Sequence, residues 1–150
     1  MSKVSAHWEL AKEIVSLRDR INPGILLVGN GDIKNLKEGR RKVRESSFDG
    51  VMIGRGIFDN PLLFAEKEFS KLRIEEKLKI AKKHTKYFDQ EFPENKEGKR
   101  IKNFALLKKF FKIYINGFEG AKELRGKLMN AKDKKEVFDL IDEFINKKYN

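Results

Sequence analysis

Two short glycine-bearing runs, Gly29-Asn30-Gly31-Asp32 and Gly54-Arg55-Gly56, stand at equivalent places in the chain. Each follows directly on a wholly apolar run, Ile25-Leu26-Leu27-Val28 in the first case and Val51-Met52-Ile53 in the second. Residues of these types suit one chemistry in particular. Glycine lets the backbone come close to a ligand, and successive backbone N–H groups can surround a phosphate. An arginine guanidinium adds fixed donors and a positive charge. Either loop alone is better read as a permissive strand-to-helix turn. The pair, at the ends of adjacent strands, favours a phosphate site, and in (β/α)8 barrels such a site follows the last two strands.

Other chemistries find less support. The chain has no cysteine, which excludes disulfides, thiolate zinc sites and a cysteine nucleophile within it. No metal-ligand spacing is present. The carboxylate pairs Glu75-Glu76 and Asp142-Glu143 fall on polar helical faces, without an apolar pocket to raise a pKa. His7, beside Trp8, reads as packing at a helix start rather than as a substrate contact. His84, on a lysine-rich helix, reads as facing solvent.

The elements that must position the two loops alternate in type. His7 to Arg20 carries apolar residues at helical spacing, and Asn22-Pro23-Gly24 ends it. The two apolar runs are rich in branched side chains, as expected of strands buried on both faces. Between them Asn35 and Glu38 have capping-box spacing, so a helix is expected to about Glu45. Strand, helix and strand in so few residues make a right-handed βαβ unit with two parallel strands. Beyond residue 66 no convincing strand occurs. Helical stripes run over Arg73 to Asp89, Lys99 to Asn116, Ala121 to Met129 and from Asp133 onward, which predicts a bundle. The fold class is therefore α/β followed by all-α, with residues 1–66 as one domain and 67–150 as the other. Two parallel strands leave faces and edges open, so the chain is expected either to oligomerise through them or to be the tail of something longer.

Charge follows the same division. Apolar residues make up 39% of the 150, charged residues 38%, and the net charge is +11. Residues 1–64 hold eleven basic and eight acidic side chains, whereas residues 65–150 hold twenty-three and fifteen. A polyanionic partner is the commonest cause of such an excess; a lysine-rich proteome is the bland one. On the helix expected over Lys99 to Asn116, Lys102, Lys108, Lys109 and Lys112 fall together without an acid, opposite Phe104, Leu107, Phe110, Phe111 and Tyr114. Lys96, Lys99 and Arg100 add charge near its start, where cations oppose the macrodipole. An external anion is the better explanation of that stripe. No apolar run approaches the ~20 residues of a membrane helix, and Met1 to Trp8 offers no signal peptide. A cytoplasmic protein without a membrane partner is expected.

The order and spacing of His7-Trp8, Val28-Gly29-Asn30-Gly31-Asp32-Ile33, Asp49-Gly50-Val51-Met52-Ile53-Gly54-Arg55-Gly56 and Asn60-Pro61-Leu62-Leu63-Phe64 resemble the flavin-dependent tRNA-dihydrouridine synthases. The similarity runs from about Val4 to Phe64. It is looser beyond, where Leu107 to Tyr114 and Gly117-Phe118 resemble the family's tRNA-binding helical domain; a histidine is common there where Phe110 stands.

The resemblance implies that residues 1–66 are the last two βα units of an FMN-binding TIM (β/α)8 barrel and residues 67–150 its helical tRNA-binding domain. It implies reduction of a uridine C5–C6 double bond in tRNA: NAD(P)H reduces the flavin, the flavin delivers hydride to C6, and a cysteine protonates C5. That cysteine belongs to an earlier part of the barrel. Asn30, Gly31 and Asp32 match the first flavin-phosphate loop, and Gly54 and Arg55 the second. Direct contact of the Asp32 carboxylate with phosphate would be repulsive, so its backbone N–H, or a cap on the next helix, is the expected role. On this reading Met1 is an internal methionine, the start of a truncated frame or of an excised segment. The missing barrel portion is the implied partner, and the whole protein is expected to be monomeric. The isolated chain is expected to be inactive. Two alternatives stand beside this: a tRNA-binding module without chemistry, and the tail of another FMN-dependent barrel oxidoreductase.

Overall fold

In a computed structural model, which describes residues 4–95, 97 and 101–149, the chain forms two compact units, Met1–Glu68 and Phe69–Asn150. The first unit is α/β. A 3-10 turn over Trp8–Leu10 leads into α1 (Ala11–Ile21), followed by β1 (Val28–Asn30), α2 (Leu36–Ser46), β2 (Gly50–Met52) and the single turn α3 (Gly56–Asp59). β1 and β2 are parallel, with Val28 opposite Gly50, Gly29 opposite Val51 and Asn30 opposite Met52. α2 is the crossover between them. Its start is fixed as the Asn-x-x-Glu spacing predicts: Asn35 Oδ1 accepts from the Glu38 N–H at 2.9 Å. The reciprocal bond is shifted by one residue, because the Glu38 carboxylate accepts from the Lys34 N–H at 2.9 Å rather than from that of Asn35.

The first strand differs from expectation. Ladder pairing begins at Val28, not Ile25, because side chains occupy the backbone upstream. Arg18 donates to the Ile25 carbonyl at 2.9 Å, and the Asp49 carboxylate accepts from the Leu27 N–H at 2.7 Å. The Leu27 carbonyl accepts from the N–H groups of both Asp49 and Gly50. The second strand is displaced by one residue, to Gly50–Met52. Neither run is buried on both faces: Leu26 is 75% exposed and Val28 61%, and Ile25 and Met52 are also exposed. Among the described residues of this unit only Ala11, Ile33 and Leu63 are buried apolar side chains.

The second unit is all-α and holds most of the buried apolar surface. It comprises α4 (Ile74–Glu91), α5 (Ala105–Tyr114), α6 (Ala121–Asn130) and α7 (Lys134–Tyr149). α4 packs on α5 and α7, and α6 packs on the same two helices, so the four close a ring. Leu78, Leu107, Phe111, Ile115, Leu128, Val137 and Ile141 fill it, each at most 1% exposed. Thr85 joins them at no cost in unpaired groups, since its hydroxyl donates to the Ala81 carbonyl at 2.9 Å. Gly120, at φ +79°, leads into α6 where a Cβ would stand 2.8 Å from the Phe144 ring. α7 repeats the start of α2: Asp133 accepts from the Glu136 N–H, and Glu136 accepts from the Lys132 N–H, both at 2.9 Å.

The helix expected from Lys99 begins only at Ala105. Asn103 Oδ1 accepts from the Ala105 N–H at 2.8 Å, which takes up a free donor of the first turn, and Ile101 to Asn103 lie outside the helix. Lys96, Lys99 and Arg100 lie outside the described residues.

Candidate functional site

Both loops leave the carboxyl end of the two-stranded sheet, since Asn30 and Met52 are paired at its edge. Gly31 has φ +126° and Asp32 φ +53°, backbone that glycine accepts freely and aspartate tolerates. The Asp32 carboxylate does not cap α2, whose cap is Asn35. It accepts instead from the Ala6 N–H at 2.7 Å, and its other oxygen is 3.5 Å from the Arg55 guanidinium. Arg55 and Asp32 thus tie the first loop to the second across 23 residues of sequence, and both remain exposed.

A second tie is steric. A Cβ on Gly56 would stand 2.8 Å from the Lys34 carbonyl oxygen and 3.0 Å from that of Ile33. Only a glycine lets the second loop lie this close to the backbone of the first. Gly54 is different: a Cβ there would meet nothing within 4 Å. Its backbone faces open space, as a surface for a ligand requires. Five residues singled out by sequence, Asn30, Gly31, Asp32, Gly54 and Arg55, therefore share one end of one small sheet.

Trp8 supports the first loop. Its indole N–H donates to the Gly31 carbonyl at 3.0 Å, and its ring lies over Gly29, where a Cβ would come within 2.4 Å of it. Trp8, His7, Gly29 and Asn30 also line a depression of about 280 Å³ together with Ile14 and Leu27. His7 is not packed at a helix start as expected. It is exposed, with Nδ1 2.5 Å from Glu9, and the hydrogen bond from His7 holds the Glu9 carboxyl below its usual range.

The sequence reading missed Arg18 and the part played by Asp49. Arg18 is 3.3 Å from Asp49. The Leu27 N–H, and then Arg18, lower the Asp49 carboxyl pKa. This cluster anchors α1 to the strands and carries no ligand chemistry. Its one legible sign was an aspartate directly before a strand, a position suited to accepting backbone N–H bonds.

The residues fit a phosphate-bearing cofactor in two respects, a guanidinium and an open glycine backbone. They oppose it in one, because the Asp32 carboxylate already shares the Arg55 charge. Among the described residues no cluster of three or more His, Asp or Glu side chains suits a metal ion. No described helix is long and apolar enough to cross a membrane.

The lysine stripe of the second unit is dispersed. Lys102 lies before α5, with Nζ 4.4 Å from the centre of the Phe92 ring. Lys108 Nζ donates to the Met129 carbonyl at 2.8 Å. Lys109 lies over the neighbouring Phe110 ring at 5.0 Å, and Lys112 is exposed. Only Lys109 and Lys112 remain together on the outer side of the helix.

His84 also departs from expectation. Rather than facing solvent it is half-buried between α4 and α5, with Nδ1 2.9 Å from the Tyr114 hydroxyl and its ring edge-on to Phe110. Burial lowers the His84 pKa and raises that of Tyr114. Glu76 and Asp142 serve structure, accepting from the Arg73 N–H and from Lys82 respectively.

Comparison with known proteins bears on these observations. A family model described as dihydrouridine synthase matches residues 2–150. The chain is 46% identical over 144 residues to a probable tRNA-dihydrouridine synthase of Staphylococcus aureus, covering 96% of this chain and 42% of that protein. It is 44% identical over 147 residues to probable tRNA-dihydrouridine synthase 2 of Bacillus subtilis. The chain thus spans less than half the length of these relatives.

Proposed function

This chain belongs to the dihydrouridine synthase family, and from that premise we propose that it forms the flavin-phosphate and tRNA-binding end of an FMN-dependent tRNA-dihydrouridine synthase. Residues 1–66 are then the last two βα units of a TIM (β/α)8 barrel, and residues 67–150 the tRNA-binding domain. The whole enzyme reduces a uridine to 5,6-dihydrouridine in tRNA with NAD(P)H in the cytoplasm. FMN, when bound, supplies the hydride.

This chain's own part is binding. Arg55 offers a charge-assisted contact to the phosphate, and the Gly54 backbone offers a face free of side chains. Asn30 and Gly31 complete the cradle, and Asp32 sets the position of Arg55. A proton donor for uridine C5 must come from elsewhere, because the family's cysteine has no counterpart among these 150 residues. In the second unit Lys109 and Lys112 are the members of the lysine group free to meet an RNA backbone. Lys102 and Lys108 contribute through field rather than contact.

The observation that carries the flavin reading is the convergence of both glycine loops at one sheet edge, tied by Asp32–Arg55 and by the close approach at Gly56. A test uses a chimera in which this chain replaces the matching segment of the Bacillus subtilis relative. Gly54→Ala should leave thermal stability unchanged, since its Cβ meets no protein atom, yet weaken FMN retention. Unaltered retention would remove the second loop from the site.

The absent cysteine favours a second reading for the chain on its own, a tRNA-binding module without chemistry. The third candidate, another FMN-dependent barrel oxidoreductase, is set aside by the family match.

A further inference from the structure

The cations of the second unit fall into two groups once their partners are known. Lys82 pairs with Asp142, Lys134 with Asp89, Lys135 with Asp139, Lys127 with Glu123 and Lys148 with Glu119. Among the described residues Lys79, Lys83 and Lys86 form no ion pair and are exposed. The same holds for Lys109, Lys112, Lys122, Lys132 and Lys147, but only Lys79, Lys83 and Lys86 line up on one side of a single long helix. All three lie on α4 at i, i+4 and i+7, which places them on one side of the helix, about 6 and 10 Å apart along its axis. The opposite side of α4, with Leu78, Ala81 and Thr85, is spent in the bundle core. Tyr87 extends the outer side: it is 51% exposed, and the Lys83 ammonium lies 5.6 Å from the centre of its ring.

We propose that this outer face of α4, Lys79, Lys83 and Lys86 with Tyr87 beside them, is an RNA-docking surface that takes successive phosphates of a tRNA backbone. The inference rests on the tRNA reading above and assigns it to residues that reading did not include. Charge complementarity supports it, since these three ammonium groups share one side of a single helix and none is paired with a carboxylate of a described residue, and counterion release rewards their contact with a polyanion. An exposed tyrosine beside the cations offers a π-face to an unstacked base. A membrane fits less well. A helix lying on a bilayer needs its apolar face free, and that of α4 is buried in the protein.

The test measures binding of unmodified tRNA to the 150-residue chain by fluorescence anisotropy over a range of salt. K79Q/K83Q/K86Q is compared with K122Q/K132Q/K147Q, a control that removes equal charge from exposed lysines elsewhere in the unit. K79R/K83R/K86R preserves charge, and circular dichroism checks folding of each variant. The α4 triple should weaken binding by on the order of tenfold to a hundredfold and flatten the slope of log K against log salt by about two to three. The arginine version should restore both. Equal losses in the α4 triple and the control would overturn the proposal and leave the tRNA reading standing. Failure of the unaltered chain to bind tRNA even at low salt would overturn the tRNA reading itself. Tighter binding to phosphatidylserine vesicles than to tRNA, lost in the same triple, would overturn the choice of RNA.

Discussion

At the scale of single residues the loops separate contacts that sequence treats alike. Gly31 and Gly54 both match phosphate-loop positions, but a Cβ on Gly31 would stand 2.5 Å from the Ala6 Cβ, at a φ of +126°. Gly31→Val should therefore unfold the loop itself, whereas Gly54→Ala probes ligand approach alone. Arg55→Ala removes a charge-assisted contact of ~1.5–3 kcal/mol, so FMN affinity in the chimera should fall roughly ten- to a hundredfold, as read by flavin fluorescence. An unchanged affinity would leave Arg55 only its tie to Asp32. His84 makes a second residue-scale prediction. Its folded pKa lies below the ordinary 6.5, so the unfolded chain takes up the proton first as pH falls. The stability it contributes is complete above about pH 6.5 and is lost as pH falls from there through the depressed folded value. Tyr114 acts on the other side: its raised pKa makes its contribution complete below about pH 10 and lost above. Thermal melts across pH should show both limbs, and His84→Gln should flatten the acid one. An acid limb unchanged in that variant would trace it to other groups.

At the scale of elements, signals between near neighbours are legible in the sequence and partner-dependent ones are not. Asn35 and Glu38, and Asp133 and Glu136, announce helix starts because the cap is a bond between near neighbours in sequence. Asp133→Ala should cost about 1 kcal/mol, or roughly 4–8 °C in the melting temperature of a unit this size; an unmoved midpoint would show that α7 is held by packing alone. The first strand begins later than its composition predicts, for a physical reason. Ile25 to Leu27 has the composition of a buried strand, but its backbone groups are taken by Arg18 and Asp49, the latter 22 residues beyond Leu27. No window of sequence shows that exchange. The start of α5 was misplaced by a closer competitor, the Asn103 side chain, which binds the Ala105 N–H. The lysine stripe failed with it, because a helical wheel cannot show that Lys108 reaches the Met129 carbonyl on another helix.

At the scale of the whole molecule the two units differ in how far they bury their own apolar groups. The second closes a ring of four helices around Leu78, Phe111, Leu128 and Ile141. The first leaves Leu10, Ile14, Leu17 and Ile21 exposed along one side of α1, with Ile25, Leu26 and Val28 exposed as well. Such exposure is what an associating face would show. Limited proteolysis of the 150-residue chain should cut the first unit early and leave a resistant fragment beginning near residues 65–72; equal resistance in both units would contradict the difference in burial. The converging loops could be anticipated from their glycines and arginine, whereas the Asp32–Arg55 tie and the Gly56 approach needed the folded arrangement.

We propose above that these 150 residues supply the cofactor and tRNA end of a dihydrouridine synthase. The most direct measurement is the dihydrouridine content of tRNA, by mass spectrometry, in cells whose only such enzyme is the chimera with the Bacillus subtilis relative, the parent relative serving as reference. Dihydrouridine at the parent's level, reduced by Arg55→Ala, is the predicted result. A soluble, folded chimera that leaves the tRNA free of dihydrouridine where the parent forms it would contradict the claim.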